Sequence, residues 1–190
     1  MNTLTHVVAA AAVLARPDQP RRNRIVLFGA LVPDLSIYVM CVWALATGNF
    51  DESLWSDIYW TEPWQTMGAV TNSVPLALLI LSVGLVSKSV WLKVFAGALL
   101  IHAALDFPLH ADDAHRHFWP VTDWRFKSPV SYWDPDHYGL LGQMFDSVVL
   151  FASLAVLWRK FDGRKVRLAL FVFAVLGLIW TGLGLWFSFR

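Results

Sequence analysis

Ile101-His102-Ala103-Ala104-Leu105-Asp106-Phe107-Pro108-Leu109-His110-Ala111-Asp112-Asp113-Ala114-His115-Arg116-His117 contains four of the six histidines of this chain. The stretch begins as the end of an apolar run, Val94 to Leu105, and finishes in a polar loop. Its first potential ligands therefore belong to a hydrophobic layer and its last ones to the edge of water. On a helix, His102 and Asp106 are four residues apart and share one face. An imidazole and a carboxylate stacked in this way offer nitrogen and oxygen to one point, a donor set that suits zinc or manganese. Pro108 stops the helix, which lets His110 fold back toward the same point.

The surroundings of this stretch decide the fold class. Hydrophobic residues make up 57% of the 190, charged residues only 15%, and there are eleven tryptophans. That composition excludes an ordinary soluble domain and predicts an all-α, polytopic transmembrane helical bundle, a single domain over residues 1–190. Six apolar segments can be drawn, at 3–15, 25–47, 66–87, 90–107, 141–158 and 166–187, several of them near or above the ~18 residues a span needs. The first is short, reaching only ~22 Å at helical rise, and requires thinning, tilt or protein cover. Residues 108–140 form a long loop rich in Trp, His and Asp, which its tryptophans predict to be ordered. A lone Cys41 leaves no disulfide or thiolate metal site within one chain. The first fifteen residues lack a basic leader and carry His6, so they are read as retained. The net charge of +1, with no continuous basic stripe, gives no reason to expect nucleic acid as a partner.

Alternation of the six segments sorts the charges. Arg16, Arg21, Arg22, Arg24, Lys88, Lys93, Arg159, Lys160, Arg164, Lys165 and Arg167 fall on one side, which the positive-inside rule makes cytoplasmic. Both termini and the two acidic, Trp-rich loops then face the periplasm of a bacterial inner membrane. The tryptophans and tyrosines there read equally as an interfacial belt or as the core of a small cap.

Ionisable groups inside spans are costly and usually face a bundle interior. His6 is ten residues from Arg16, Asp34 ten from Arg24 and His102 nine from Lys93. Three segments thus bring a metal-type ligand to a common depth, ~15 Å along each helix. Asp106 and Asp146 lie about one turn further out. No Lys or Arg at that level neutralises these carboxylates, so the balance comes from protonation or from a bound cation; with imidazoles alongside, a divalent metal is the simpler answer. Hydrogen bonds between helices without metal are the plainer alternative. Pro33 bends its helix so as to aim Asp34 inward, and Gly29 lets a neighbour approach. In the loop, Asp112, Asp113, His115 and His117 can complete a second metal position, and Arg116, Arg125 and Lys127 border the same region as partners for an anion.

Thr5-His6, Leu31-Val32-Pro33-Asp34, His102-x-x-x-Asp106, and Trp119-Pro120 followed by Trp124-Arg125-Phe126-x-x-Pro129 occur in this order in a chain that resembles the membrane-bound metal-dependent hydrolases of the LexA-regulated inner-membrane type. The resemblance covers about residues 1–40 and 95–130. Pro108-Leu109-His110 after His102-x-x-x-Asp106 is more weakly similar to zinc-dependent phospholipases C, in which a metal cluster activates water against a phosphodiester. The hydrolase family's His-Arg-Gly-x-Thr-His-Ser motif is reduced here to Met67-Gly68-Ala69-Val70-Thr71-Asn72-Ser73, and its Pro-Asp-x-Asp to Pro33-Asp34-Leu35-Ser36.

Together these readings lead to an expected membrane hydrolase acting on a phosphoester or related bond of an amphiphilic or lipid-like anionic substrate. His6, Asp34, His102, Asp106, His110 and His115 hold zinc, manganese or iron, with zinc first. His110 is a further ligand or the general acid, and Arg125 or Arg116 grips the anion. The competing expectation is a non-catalytic membrane subunit whose metal or hydrogen-bond centre is structural and whose Trp-rich loop binds a partner protein. Ion conduction is a third, disfavoured because the cytoplasmic halves of the segments carry almost nothing ionisable.

Overall fold

A computed structural model describes residues 1–188, and every regular element among them is helical. Helix α1 (Thr3–Leu14) is started by Asn2, whose side chain accepts from the Leu4 amide at 2.8 Å. Helix α2 (Pro20–Leu31) passes through a 3-10 turn (Val32–Asp34) into α3 (Leu35–Thr47), which Gly48 ends in the left-handed region at φ 76°. A short α4 (Ser53–Ser56) and a 3-10 turn (Ile58–Trp60) lead to α5 (Glu62–Thr71) and α6 (Val74–Val86). Helix α7 (Val90–Asp106) ends at the long loop, and α8 (Gly139–Lys160) and α9 (Arg164–Ser188) complete the chain.

Four stretches, Pro20–Thr47, Glu62–Val86, Gly139–Lys160 and Arg164–Gly184, are long and apolar enough to cross a membrane, consistent with a multi-pass membrane protein. The expected six is therefore too many. All six apolar segments are helical, but α1 has 12 residues and α7 has 17, about 18 and 25 Å of helix against a hydrocarbon layer of about 30 Å. The two short helices pack against each other in the interior: α1 contacts α2, α7 and α8, while α7 contacts α1, α2 and α6. In each long stretch no more than 33% of the apolar window is buried. The long helices thus present apolar outer surface, while the two short ones contribute the buried Thr5, His6, His102 and Asp106.

Small side chains make this possible. Ala10, Val26, Ala30, Val94 and Ala98 form one buried cluster where α1, α2 and α7 meet. At Gly29 a Cβ would lie 2.9 Å from Ala98 Cβ and 3.0 Å from the Phe95 carbonyl oxygen, so glycine sets how closely α2 approaches α7. The 3-10 turn at Pro33 is held from α5: the Pro33 carbonyl accepts from Thr71 Oγ1 at 3.1 Å and from Asn72 Nδ2 at 3.3 Å. At one end of the bundle Arg22 and Lys160 donate to the Leu14 and Ala12 carbonyls, supplying partners to the C-terminal end of α1. At the other end the long loop folds back over α7, with the Ser128 and Tyr132 amides donating to the His110 and Leu109 carbonyls at 2.9 and 3.1 Å.

Candidate metal centre

Asp106 is the hub. It ends α7, is fully enclosed, and has imidazoles on both oxygens: His6 Nε2 at 2.8 Å and His110 Nε2 at 3.2 Å from Oδ1, His102 Nε2 at 3.1 Å from Oδ2. His115 Nε2 approaches Oδ2 at 4.0 Å, and Asp34 Oδ1 lies 3.6 Å from His102 Nε2. The Met1 amine is 2.6 Å from Asp106 Oδ1 and 3.1 Å from His110 Nε2. Two sets of side chains able to hold a metal ion result, His6 with His102 and Asp106, and Asp106 with His110 and His115. The rings of His6 and His102 are stacked, 3.6 Å apart and 9° from parallel, so both present an edge to the same carboxylate.

The outward-facing nitrogens fix what faces inward. His102 Nδ1 donates to the Ala30 carbonyl at 2.7 Å, a contact that exists because Gly29 lets α2 close on α7. Once Nδ1 carries the proton, Nε2 of neutral His102 holds a lone pair, and that lone pair looks at the oxygens of Asp106 and Asp34. It has no hydrogen-bond partner, and neither has Asp34 Oδ2. His110 repeats the pattern, donating from Nδ1 to Asp113 Oδ2 at 2.9 Å with Nε2 toward the hub. His117 Nδ1 donates to the Asn72 carbonyl at 3.2 Å. A ring nitrogen held by a carbonyl or carboxylate while the other points inward is the usual support of a metal-binding histidine.

In the loop, burial and the neighbouring His110 push the His115 imidazole well below the ordinary histidine value, and burial also lowers His117. Both shifts favour the neutral form, which ligation requires. Burial would likewise lower His110, but the Asp106 and Asp113 carboxylates outweigh it and raise its pKa. Burial would raise Asp113, yet its hydrogen bond to His110 holds it at about 2.

The expected residues are not all brought together. His6, Asp34, His102, Asp106, His110 and His115 converge. Arg116 and Arg125 do not: Arg116 lies against Glu62 and Asp123 at 3.2 Å each, and Arg125 donates to the Ala114 carbonyl and Gln65 Oε1 at 2.6 and 2.8 Å. Neither lines the cavity of about 750 Å³ that borders His110, His115 and Asp34. Asp146 serves α1, accepting from the Asn2 amide at 3.0 Å and Thr5 Oγ1 at 3.1 Å. The Ala30 carbonyl was not expected, since a backbone oxygen leaves no mark in sequence. Asp113 was expected as part of a second metal position and instead holds His110 Nδ1. Another His/Asp group, Asp112, Asp134 and His137, lies on the loop surface.

Compared with known protein families, curated proteins and solved structures, the chain has no match in any of the three.

Proposed function

We propose that this protein is an integral membrane, metal-dependent hydrolase that cleaves a phosphoester or related bond of an amphiphilic substrate at the periplasmic face of a bacterial inner membrane. The observation that carries the reading is the His102 ring: its Nδ1 proton is committed to the Ala30 carbonyl, so its Nε2 lone pair faces two carboxylates with no donor between them. Without a metal the group relies on the Met1 amine, which reaches Asp106 Oδ1 and His110 Nε2 only, or on a second proton on His102; a divalent metal satisfies all its members. His6, His102 and Asp106 form one ligand set and His110 and His115 extend it, with Asp34 alongside; nitrogen and oxygen donors without thiolate suit zinc first, then manganese or iron. The metal would supply activated water at neutral pH and polarise the ester oxygen.

The protein's own part is to aim the imidazoles and to place the substrate. Asp113 keeps His110 oriented, and His110 borders the cavity, where it is placed to pass a proton to a leaving oxygen. Arg116 and Arg125 are engaged by protein partners, so the anion is left to the metal.

Metal content of the detergent-purified protein tests this. One or more zinc, manganese or iron per chain, lost in His102→Ala and Asp106→Ala, is expected together with hydrolysis of a phosphoester panel. Metal-free protein prepared without chelators refutes it. The second reading, a non-catalytic subunit with a structural centre, draws on Thr71 and Asn72. They occupy the stretch where the resembling family has its Thr-His pair, yet here their side chains donate to the scaffold carbonyls of Pro33, Met67 and Gly68. Bound metal without any hydrolysis favours that reading.

A further inference from the structure

The cavity beside the centre has two kinds of wall. Toward the loops it is bounded by Trp55, Trp60 and Trp133; on the bundle side it is bounded by Ile37 and Tyr38 of α3 and by Trp180 of α9. The last three belong to two of the long apolar stretches. Tyr38 is fourteen residues from Arg24 and Trp180 sixteen from Arg164, about 21 and 24 Å along their helices. They sit one to two turns beyond the level of Asp34, on the side away from the basic connections. Among the described residues, α9 packs chiefly on α8, and α3 chiefly on α5 and the 3-10 turn at Pro33. The cavity therefore reaches from the candidate ligands to residues of two helices whose outer faces are apolar.

We infer that the part of the cavity between Ile37, Tyr38 and Trp180 is a hydrocarbon-chain site, and that the ligand is a membrane lipid entering sideways between α3 and α9 with its anionic head at the centre. As a statement about substrate this rests on the hydrolase reading; as a binding site it does not. Three features support it. No Lys or Arg lines the cavity among the described residues, so an anion is left to a bound cation at the centre and to the Met1 amine beside it. At about 750 Å³ the space falls within the roughly 300–1,000 Å³ that encloses most of a mid-sized organic ligand, more than a lone phosphate fills. The loop wall adds His110, His115, Asp112 and Asp113 to its tryptophans, whereas Ile37, Tyr38 and Trp180 belong to apolar stretches of the bundle, the order in which a lipid standing in the outer leaflet presents head and chain.

The test uses a long-chain alkyl phosphate with a diazirine on its chain, added to full-length protein in phosphatidylethanolamine and phosphatidylglycerol vesicles. Photolabelled residues are mapped in metal-loaded and chelator-treated samples. Labelling around Ile37 and Trp180 is expected several-fold above that at Leu79 and Val86, exposed apolar positions on α6. Unlabelled alkyl phosphate should abolish the excess and inorganic phosphate should not. Ile37→Trp should bring labelling at α9 down to the α6 level with metal content unchanged. Equal labelling of slot and α6, or an excess that does not saturate, overturns the proposal without any variant having to fold. Saturable slot labelling in a protein that binds no metal leaves the chain site standing and removes the hydrolase reading.

Discussion

Gly29→Ala isolates the link between packing and the candidate centre. The new methyl would lie 2.9 Å from Ala98 Cβ, 3.0 Å from Phe95 O and 3.1 Å from Phe95 Cδ2. Carbon atoms rest at about 3.5–4.0 Å, so α2 must retreat from α7 by about 0.5–1 Å. The Ala30 carbonyl moves with α2, and its 2.7 Å bond to His102 Nδ1 stretches to about 3.2–3.7 Å, at or past the limit of a useful hydrogen bond. Overpacking of this kind costs about 1–3 kcal/mol, and losing the partner that orients a metal-binding histidine costs roughly 10–100-fold in metal affinity. Metal titration of the detergent-purified variant should show that loss, and 15N spectra of labelled histidine should show His102 no longer confined to the Nδ1-protonated tautomer. Gly29→Ala with Ala98→Gly removes the nearest clash and should recover part of both. A folded Gly29→Ala protein with wild-type affinity and an unchanged His102 tautomer would refute the argument that helix approach sets up the centre.

Further consequences concern the hub and its supports. Asp113→Asn removes the carboxylate that holds His110 Nδ1, so metal affinity should fall by about 10-fold or more with little change in helicity by circular dichroism. Asp146→Leu strips partners from the Asn2 amide and the Thr5 hydroxyl; thermal unfolding in detergent should show a loss of about 1–3 kcal/mol, and a neutral result would remove Asp146 from the account of α1. For pH, the His110 pKa is raised, so in metal-free protein its protonation contributes stability that is full below about pH 6.5 and lost as pH climbs through the higher folded value. Metal and proton compete for the same nitrogen, so loading should weaken as pH falls below that folded value. Chelated and metal-loaded samples should therefore shift melting temperature in opposite directions across this window, and parallel shifts would contradict the assignment of His110 as a ligand.

Much of the centre was legible along the chain. Helical rise alone places His6, Asp34 and His102 at one depth, because distance from a basic connection converts directly into height. The four-residue spacing of His102 and Asp106 puts them on one face, and Pro108 returns His110 to the hub at 3.2 Å. The apolar runs predicted six helical segments, and all six are helical.

Other features depended on the tertiary structure. Height says nothing about rotation around a helix axis, so Asp146, level with Asp106, turns to the start of α1. Loop residues have no period from which to read direction: His115 points to the hub, while Arg116 and Arg125 find Glu62, Asp123 and Gln65. Length marked the first segment as short, but apolarity did not show that α7 also falls short or that both helices pack inside the longer ones. Sequence by itself determined the element type, the heights and the donor chemistry, because these follow from periodicity and residue identity. Only the tertiary structure decided which groups share a point, through the close approach at Gly29 that brings a backbone carbonyl to His102, because that depends on contacts between segments far apart in the chain.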